Sequence, residues 1–295
     1  QLLGAVAIFG DSHMAALAPG LEEKSRSKGL HFFDGTSSGC LFVVGLARAS
    51  VKESHADCNS GLQDTRITDA SVLSPAFVIV GGRYPLALEG DRFDNKEGIR
   101  FDNKEVGVEP GGRYLFFSPD TVDFSPQESV FQISESTKNT AEILLRQGNI
   151  LVLVYPIPEV GWDVPVELTR RSAPDTFAIF GPSTRKYFAD RGIAVQWQRF
   201  SFQETQWPVD EPVTTSYDVY VERTRSTFEL FDLIRGDNVI RIYPHKIFCE
   251  DNPGGRCATH SDTEVWYADD DHLSSSGAEL LNAEIFKKLQ FGVKP

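Results

Sequence analysis

The chain has 295 residues, a formal net charge of −13 and a sequence pI near 4.9, a balance that disfavours nucleic acid and anionic lipid as partners. Hydrophobic residues make up 41% and aromatic residues 11%, enough for a sizeable core in one large α/β domain or two small ones. No apolar run approaches the ~18 residues that a membrane-spanning helix needs. There is no initiator Met and no signal-like basic region, as expected of a piece of a longer protein or a processed form.

The first expected element is a strand over about Leu3–Phe9. It stops abruptly at Gly10-Asp11-Ser12-His13, and a helix is expected from Met14 to about Lys28. A serine on a sharp strand-to-helix turn presents its hydroxyl at the open end of a sheet and can serve as a nucleophile. Asp11 or Ser12 could equally act as the N-cap of that helix. His13 is expected to face away from such a site.

Leu30–Asp34 reads as the second strand. It ends in Gly35-Thr36-Ser37-Ser38-Gly39-Cys40, small residues that let backbone N–H groups approach a ligand. A modest helix follows around Asp64–Val72. Ala76–Val80 is a short continuous apolar run, the mark of a buried parallel strand, and it stops at Gly81-Gly82-Arg83-Tyr84. Residues 85–125 break the pattern: Arg92-Phe93-Asp94-Asn95-Lys96-Glu97 recurs at 100–105, and Gly-Gly-Arg-Tyr at 81–84 recurs at 111–114. Two copies at so short a period do not make a solenoid, so the stretch reads as an exposed loop or hairpin insertion.

A helix is then expected over Pro126–Gln147, a buried strand over Asn149–Pro156, a helix near Thr184–Arg191 and a strand-like piece at Ile193–Trp197. Trp162, Trp197 and Trp207 fall in this mixed region, where aromatics either pack or stack on sugars. Ser216–Leu233 reads as a helix, Val239–Tyr243 as the fifth strand and Ser275–Leu289 as the last helix. Strands alternating with helices at this spacing predict one α/β domain with a parallel sheet of about five strands between two helical layers.

The four cysteines form no Cys-x-x-Cys and have no histidine at zinc-ligand spacing, so no metal site is expected from them. Three pairings are possible. Cys40–Cys58 and Cys249–Cys257 each close a short loop between turn-rich flanks, and an even count favours an oxidising compartment.

Asp269-Asp270-Asp271-His272-Leu273-Ser274 precedes the last helix. Asp269 and His272 stand three apart, so one tight turn can set the carboxylate against the imidazole and aim both at Ser12. Asp270 and Asp271 are expected to be solvated or capping residues. Gly-Asp-Ser after the first strand, with Asp-x-x-His before the last helix, resembles the SGNH (GDSL-like) hydrolase superfamily. Further features narrow the resemblance: Ser38-Gly39-Cys40, Arg83, the stretch Val154–Glu159, a Cys pair before the last motif, and Asp269–Ala278. These are similar to the periplasmic SGNH domain at the C-terminus of acyltransferase-3 O-antigen and polysaccharide O-acetyltransferases.

The resemblance implies a three-layer α/β/α (flavodoxin-like) fold and a catalytic Ser12, His272 and Asp269. It also implies oxyanion donors at Ser12, Gly39 and Arg83. Arg83 departs from the family's Gly-x-Asn, and so either substitutes for the amide, binds an acidic substrate, or is a salt-bridged surface residue. The implied activity is acetyl transfer to sugar hydroxyls of a cell-surface polysaccharide through an acyl-serine. Acetyl-CoA would be the ultimate donor, delivered by an N-terminal acyltransferase-3 transmembrane domain of the full-length chain, which would tether this domain in the periplasm. The alternatives are a carbohydrate acetylesterase and a non-catalytic glycan-binding module.

Overall fold

Alternate residues of the first strand divide between two apolar clusters, and that division generates the architecture. In β1 (Ala5–Gly10), Ala5, Ala7 and Phe9 enter one cluster while Val6 and Ile8 enter the other. Successive side chains of a strand point to opposite faces, so a strand buried throughout needs a layer on each side. The computed structural model describes residues 4–49, 58–90, 114–161, 163–172, 214–250 and 255–289.

β1 is followed by α1 (Ser12–Ala15), α2 (Ala18–Ser27), β2 (His31–Thr36), β3 (Ala47–Arg48), α3 (Ser60–Leu73), β4 (Phe77–Val80) and α4 (Tyr84–Leu88). Then come β5 (Phe116–Phe117), α5 (Pro126–Arg146), β6 (Ile150–Val154) and α6 (Val164–Ser172). The chain finishes with β7 (Thr214–Ser216), α7 (Tyr217–Leu233), β8 (Val239–Ile242), α8 (His245–Phe248), β9 (Arg256–Ala258) and α9 (Ser275–Lys288).

Five strands form one parallel sheet in the order β2-β1-β4-β6-β8. Val78 and Val80 of β4 and Leu151 and Leu153 of β6 join the Ala7 and Phe9 side, with Ala70 of α3, Ile133 and Leu144 of α5, and Phe231 of α7. Phe77, Ile79, Val152 and Val154 join the other, with Leu21 of α2 and Leu281 and Ile285 of α9. The fold is therefore a three-layer α/β/α sandwich. The order reverses between β1 and β4, and the crevice beyond the carboxyl ends of these two strands is where such folds build sites.

The five strands expected for the sheet are found, with ends within a few residues of their predicted positions. The helix expected over Met14–Lys28 is instead two helices. Pro19 stands in the first turn of α2, where its missing N–H costs nothing but could not continue a preceding helix. The stretch read as an exposed insertion begins as α4, whose five residues are all buried. The repeat at 92–105, the elements expected at 184–191 and 193–197, and Trp162, Trp197 and Trp207 lie outside the described residues. Both disulfides pair as expected, Cys40 with Cys58 and Cys249 with Cys257. Among the described residues, no helix is long and apolar enough to cross a membrane.

Candidate active site

Ser12 opens α1 directly beyond the carboxyl end of β1, and the turn that puts it there is closed from several sides. Asp11 is the N-cap: Oδ1 accepts from His13 N at 3.0 Å, and Oδ2 accepts from Arg83 N at 2.7 Å. One buried carboxylate thus ties the β1 turn to the β4 turn. Gly82 lies at φ 145°, and a Cβ there would come within 3.0 Å of Asp11 Oδ2, so only glycine leaves room for this reach. The carbonyl of Gly10 accepts from Ser37 N and from Arg66 Nη2, both at 2.9 Å. Arg66 also donates to the Cys40 carbonyl at 3.2 Å, joining the turn to the disulfide-bearing loop after β2.

His272 arrives from the other end of the chain on a self-closed turn. Asp269 Oδ1 accepts from the backbone N–H groups of Asp271 and His272, at 3.0 and 2.7 Å. Asp269 Oδ2 meets His272 Nδ1 at 2.9 Å, and His272 Nε2 stands 2.8 Å from Ser12 Oγ. The turn is braced from behind by Val160 N, which donates to the Asp270 carbonyl at 2.8 Å, and by Tyr267 Oη, which donates to the Pro158 carbonyl at 2.7 Å. Ser274 caps α9 by accepting from Gly277 N at 3.2 Å. The structure thus brings Ser12, His272 and Asp269 into one hydrogen-bonded line.

Ser12, Gly39 and Arg83 stand beyond the carboxyl ends of β1, β2 and β4, neighbours in the sheet. Gly39 has φ 63° in the turn that Cys40 N closes on the Ser37 carbonyl at 3.0 Å. Its own carbonyl accepts from Arg48 Nη1 at 3.1 Å. Arg83 is not a surface residue: its side chain is only 12% exposed and lies between two carboxylates, Nε 3.0 Å from Glu159 Oε1 and Nη1 2.7 Å from Asp271 Oδ2. Glu159 Oε2 in turn accepts from Arg223 Nε at 2.7 Å.

Three expectations need correction. Asp271 is neither solvated nor a cap. It is buried, with Oδ1 2.9 Å from His272 Nδ1 and Oδ2 3.0 Å from His13 Nε2. His13 does not face away; it is buried, and its ring lies edge-on to His272 with centroids 5.0 Å apart. Asp270 is buried as well. Three consecutive aspartates carry no pattern that says which points inward, because the turn set by Asp269 decides it. The pairing of Glu159 with Arg223 has no local signal either, because it exists only once the loop after β6 meets α7.

Burial opposes charge on His272, but its hydrogen bonds to Asp269 and Asp271, and their charges, raise its pKa to about 10. Burial would also raise Asp271, yet His13, His272 and Arg83 hold it well below the ordinary carboxylate range. Glu159, likewise opposed by burial, is kept at about 2 by Arg223 and Arg83. Asp270 is pushed up to about 7 by burial and by its two aspartate neighbours. Ligand atoms of His13, Asp271 and His272 lie within 4.8 Å of one another. Within that group Arg83 is paired with Asp271 Oδ2, and Ser12 Oγ stands against His272 Nε2.

A family model described as the SGNH domain (fused to AT3 domains) matches residues 2–287. Among solved structures, the chain is similar to the periplasmic domain of the lipopolysaccharide acetyltransferase of Salmonella ser. Paratyphi A. That likeness has 14% identity and a TM-score of 0.48, and covers 97% of this chain and 83% of that one. TesA is similar at 10% identity and a TM-score of 0.28, covering 78% of this chain and 99% of that one. No curated protein sequence matches.

Proposed function

The chain belongs to the family of SGNH domains that are fused to AT3 domains, and on that premise we propose that it transfers acetyl groups to sugar hydroxyls of a cell-surface polysaccharide through an acyl-Ser12. The observation that carries this reading is the line from Ser12 Oγ to His272 Nε2, 2.8 Å, and from His272 Nδ1 to Asp269 Oδ2, 2.9 Å. A hydroxyl is a weak nucleophile at neutral pH and needs a base within hydrogen-bond reach.

In the proposed cycle Ser12 Oγ attacks the acetyl carbonyl while its proton passes to His272 Nε2. Asp269 holds the imidazole with Nδ1–H toward itself and stabilises the imidazolium. The backbone N–H groups of Ser12 and Gly39 are assigned as donors to the developing oxyanion, where a lost donor typically costs about 2.7–4 kcal/mol. His272 returns the proton to the leaving group, leaving acetyl-Ser12. A sugar hydroxyl then attacks, gives its proton to His272, and departs acetylated as Ser12 recovers its hydrogen. Effective molarities for a well-held reactant reach about 10⁵ M or more, so a positioned sugar outcompetes water.

Acetyl-CoA is assigned as the ultimate donor, used by an AT3 membrane domain rather than by this chain, whose net charge of −13 repels a polyanion. The two disulfides support a periplasmic setting. The test is acetyl release from an activated aryl acetate by wild type, Ser12→Ala and Asp269→Asn, alongside acetyl-CoA consumption with glycan present. Wild type should cleave the aryl ester slowly, Ser12→Ala not at all, and Asp269→Asn more slowly than wild type. Undiminished cleavage by Ser12→Ala removes the reading. Rapid deacetylation of a natural polysaccharide replaces transfer with hydrolysis, and direct use of acetyl-CoA by this chain removes the relay.

A further inference from the structure

His272 Nδ1 can offer one hydrogen, yet two carboxylate oxygens stand 2.9 Å from it, Asp269 Oδ2 and Asp271 Oδ1. The two acids are differently placed. Asp269 is partly exposed and spends its other oxygen on the backbone of its own turn, whereas Asp271 is buried and spends its other oxygen on Arg83 and His13. The pull of Asp271 on the imidazole is therefore shared with a guanidinium 2.7 Å away. That guanidinium is itself fixed by Glu159, and Glu159 by Arg223. Arg83 thus reaches His272 from the Nδ1 side, opposite the nitrogen that faces Ser12.

We propose that Asp271 is a second positioning carboxylate for His272, and that the Arg83–Asp271 ion pair sets how tightly the imidazole holds the proton it takes from Ser12. The proposal rests on the reading of His272 as the base for Ser12, and it assigns Arg83 a task other than donating to the oxyanion. The charged and titratable groups around His272 are Asp269, Asp270 and Asp271 on its own turn, and Asp11, Ser12 and His13 at the β1 end. Arg83 comes from the β4 end, Glu159 from the loop after β6, Arg223 from α7, and Tyr267 precedes the turn. Of these, Asp269 and Asp271 touch Nδ1, and among the described residues Arg83 alone supplies a guanidinium to either of the two. Two uncompensated carboxylates would hold the imidazolium so firmly that little base remained, and Arg83 relieves one of them. The raised pKa of His272 accords with the pull that remains.

The test is an NMR titration of labelled imidazoles in the Ser12→Ala background, without substrate. The His272 resonance is identified by its loss in Ser12→Ala/His272→Gln. Asp271→Asn is expected to lower the His272 midpoint by about 1–3 pH units, the usual effect of an opposite charge at this range. Arg83→Gln is expected to raise it, and Arg83→Lys to return it toward the parent value. Two shifts of opposite sign, with rescue by lysine, are not what loss of packing produces. An unmoved midpoint in Asp271→Asn, or a shift in the same direction for Asp271→Asn and Arg83→Gln, overturns the proposal. If Asp271→Asn does not fold, equal midpoints in Arg83→Gln and Arg83→Lys overturn it. The titration needs no turnover, so it stands apart from the Ser12→Ala assay that tests the function itself.

Discussion

Replacing Gly10 with alanine tests whether the Ser12 turn is as tightly constrained as its contacts imply. Gly10 has φ 149°, and a Cβ there would lie 2.5 Å from the Gly81 carbonyl oxygen and 2.5 Å from Met14 Cγ. The β4 turn cannot retreat easily, because a Cβ on Gly81 would itself meet Met14 Sδ at 2.8 Å and the Val154 carbonyl at 2.9 Å. Backbone strain of about 1–3 kcal/mol adds to an overpacking cost of about 1–3 kcal/mol, a loss of about 2–6 kcal/mol. At about 2–4 °C per kcal/mol the melting temperature should fall by ~4–24 °C.

Gly29 supplies the control, since its φ is 70° but nothing lies within 4 Å of a Cβ built there. Gly29→Ala should cost only the left-handed strain, about 1–2 kcal/mol. Urea denaturation of both variants separates the two contributions. A Gly10→Ala loss no larger than the Gly29→Ala loss would refute the claim of close approach. Ester cleavage should fall by about 10²-fold in Gly10→Ala, the usual cost of a 1 Å misplacement, and stay unchanged in Gly29→Ala.

Activity should also depend on pH in a direction the site dictates. His272 must be neutral to accept a proton and its pKa is raised to about 10, so kcat/KM for an aryl acetate should climb with pH along a limb above the ordinary histidine value of about 6.5. A limb centred below pH 6.5 would contradict the pairing with Asp269 and Asp271. The same shift makes a stability contribution that is complete below about pH 6.5 and fades as pH rises through about 10. Removing the Cys40–Cys58 bridge, with its sequence separation of 18, as Cys40→Ala/Cys58→Ala should cost about 3 kcal/mol. It should also slow ester cleavage, because Cys40 adjoins Gly39, while Cys249→Ala/Cys257→Ala should lower the melting temperature and leave cleavage intact.

The sheet was legible in the sequence because buried parallel strands are short continuous apolar runs, as in Phe77–Val80 and Ile150–Val154. Ser12, His272 and Asp269 were legible because each sits in a short local motif at an element boundary. What escaped was non-local. Nothing near His13 in sequence says that Asp271 will lie 3.0 Å from its Nε2, and nothing near Arg83 announces Glu159. Such ion pairs arise where the ends of β1, β4 and β6 meet the turn before α9, and composition is silent about which of many acids meets which base. The break between α1 and α2 does have a local signal, Pro19 in the first turn of α2.

The hydrogen bond between Ser12 and His272 spans 260 positions of chain. At a synthesis rate of about 5–20 residues per second, the serine leaves the ribosome roughly 13–50 s before its base. Throughout that interval the Ser12 hydroxyl stands without the imidazole that it meets in the folded chain. A chain cut short before Asp269 keeps the residues of its serine turn but lacks Asp269 and His272, so the line from Ser12 closes only after the turn before the last helix has been made.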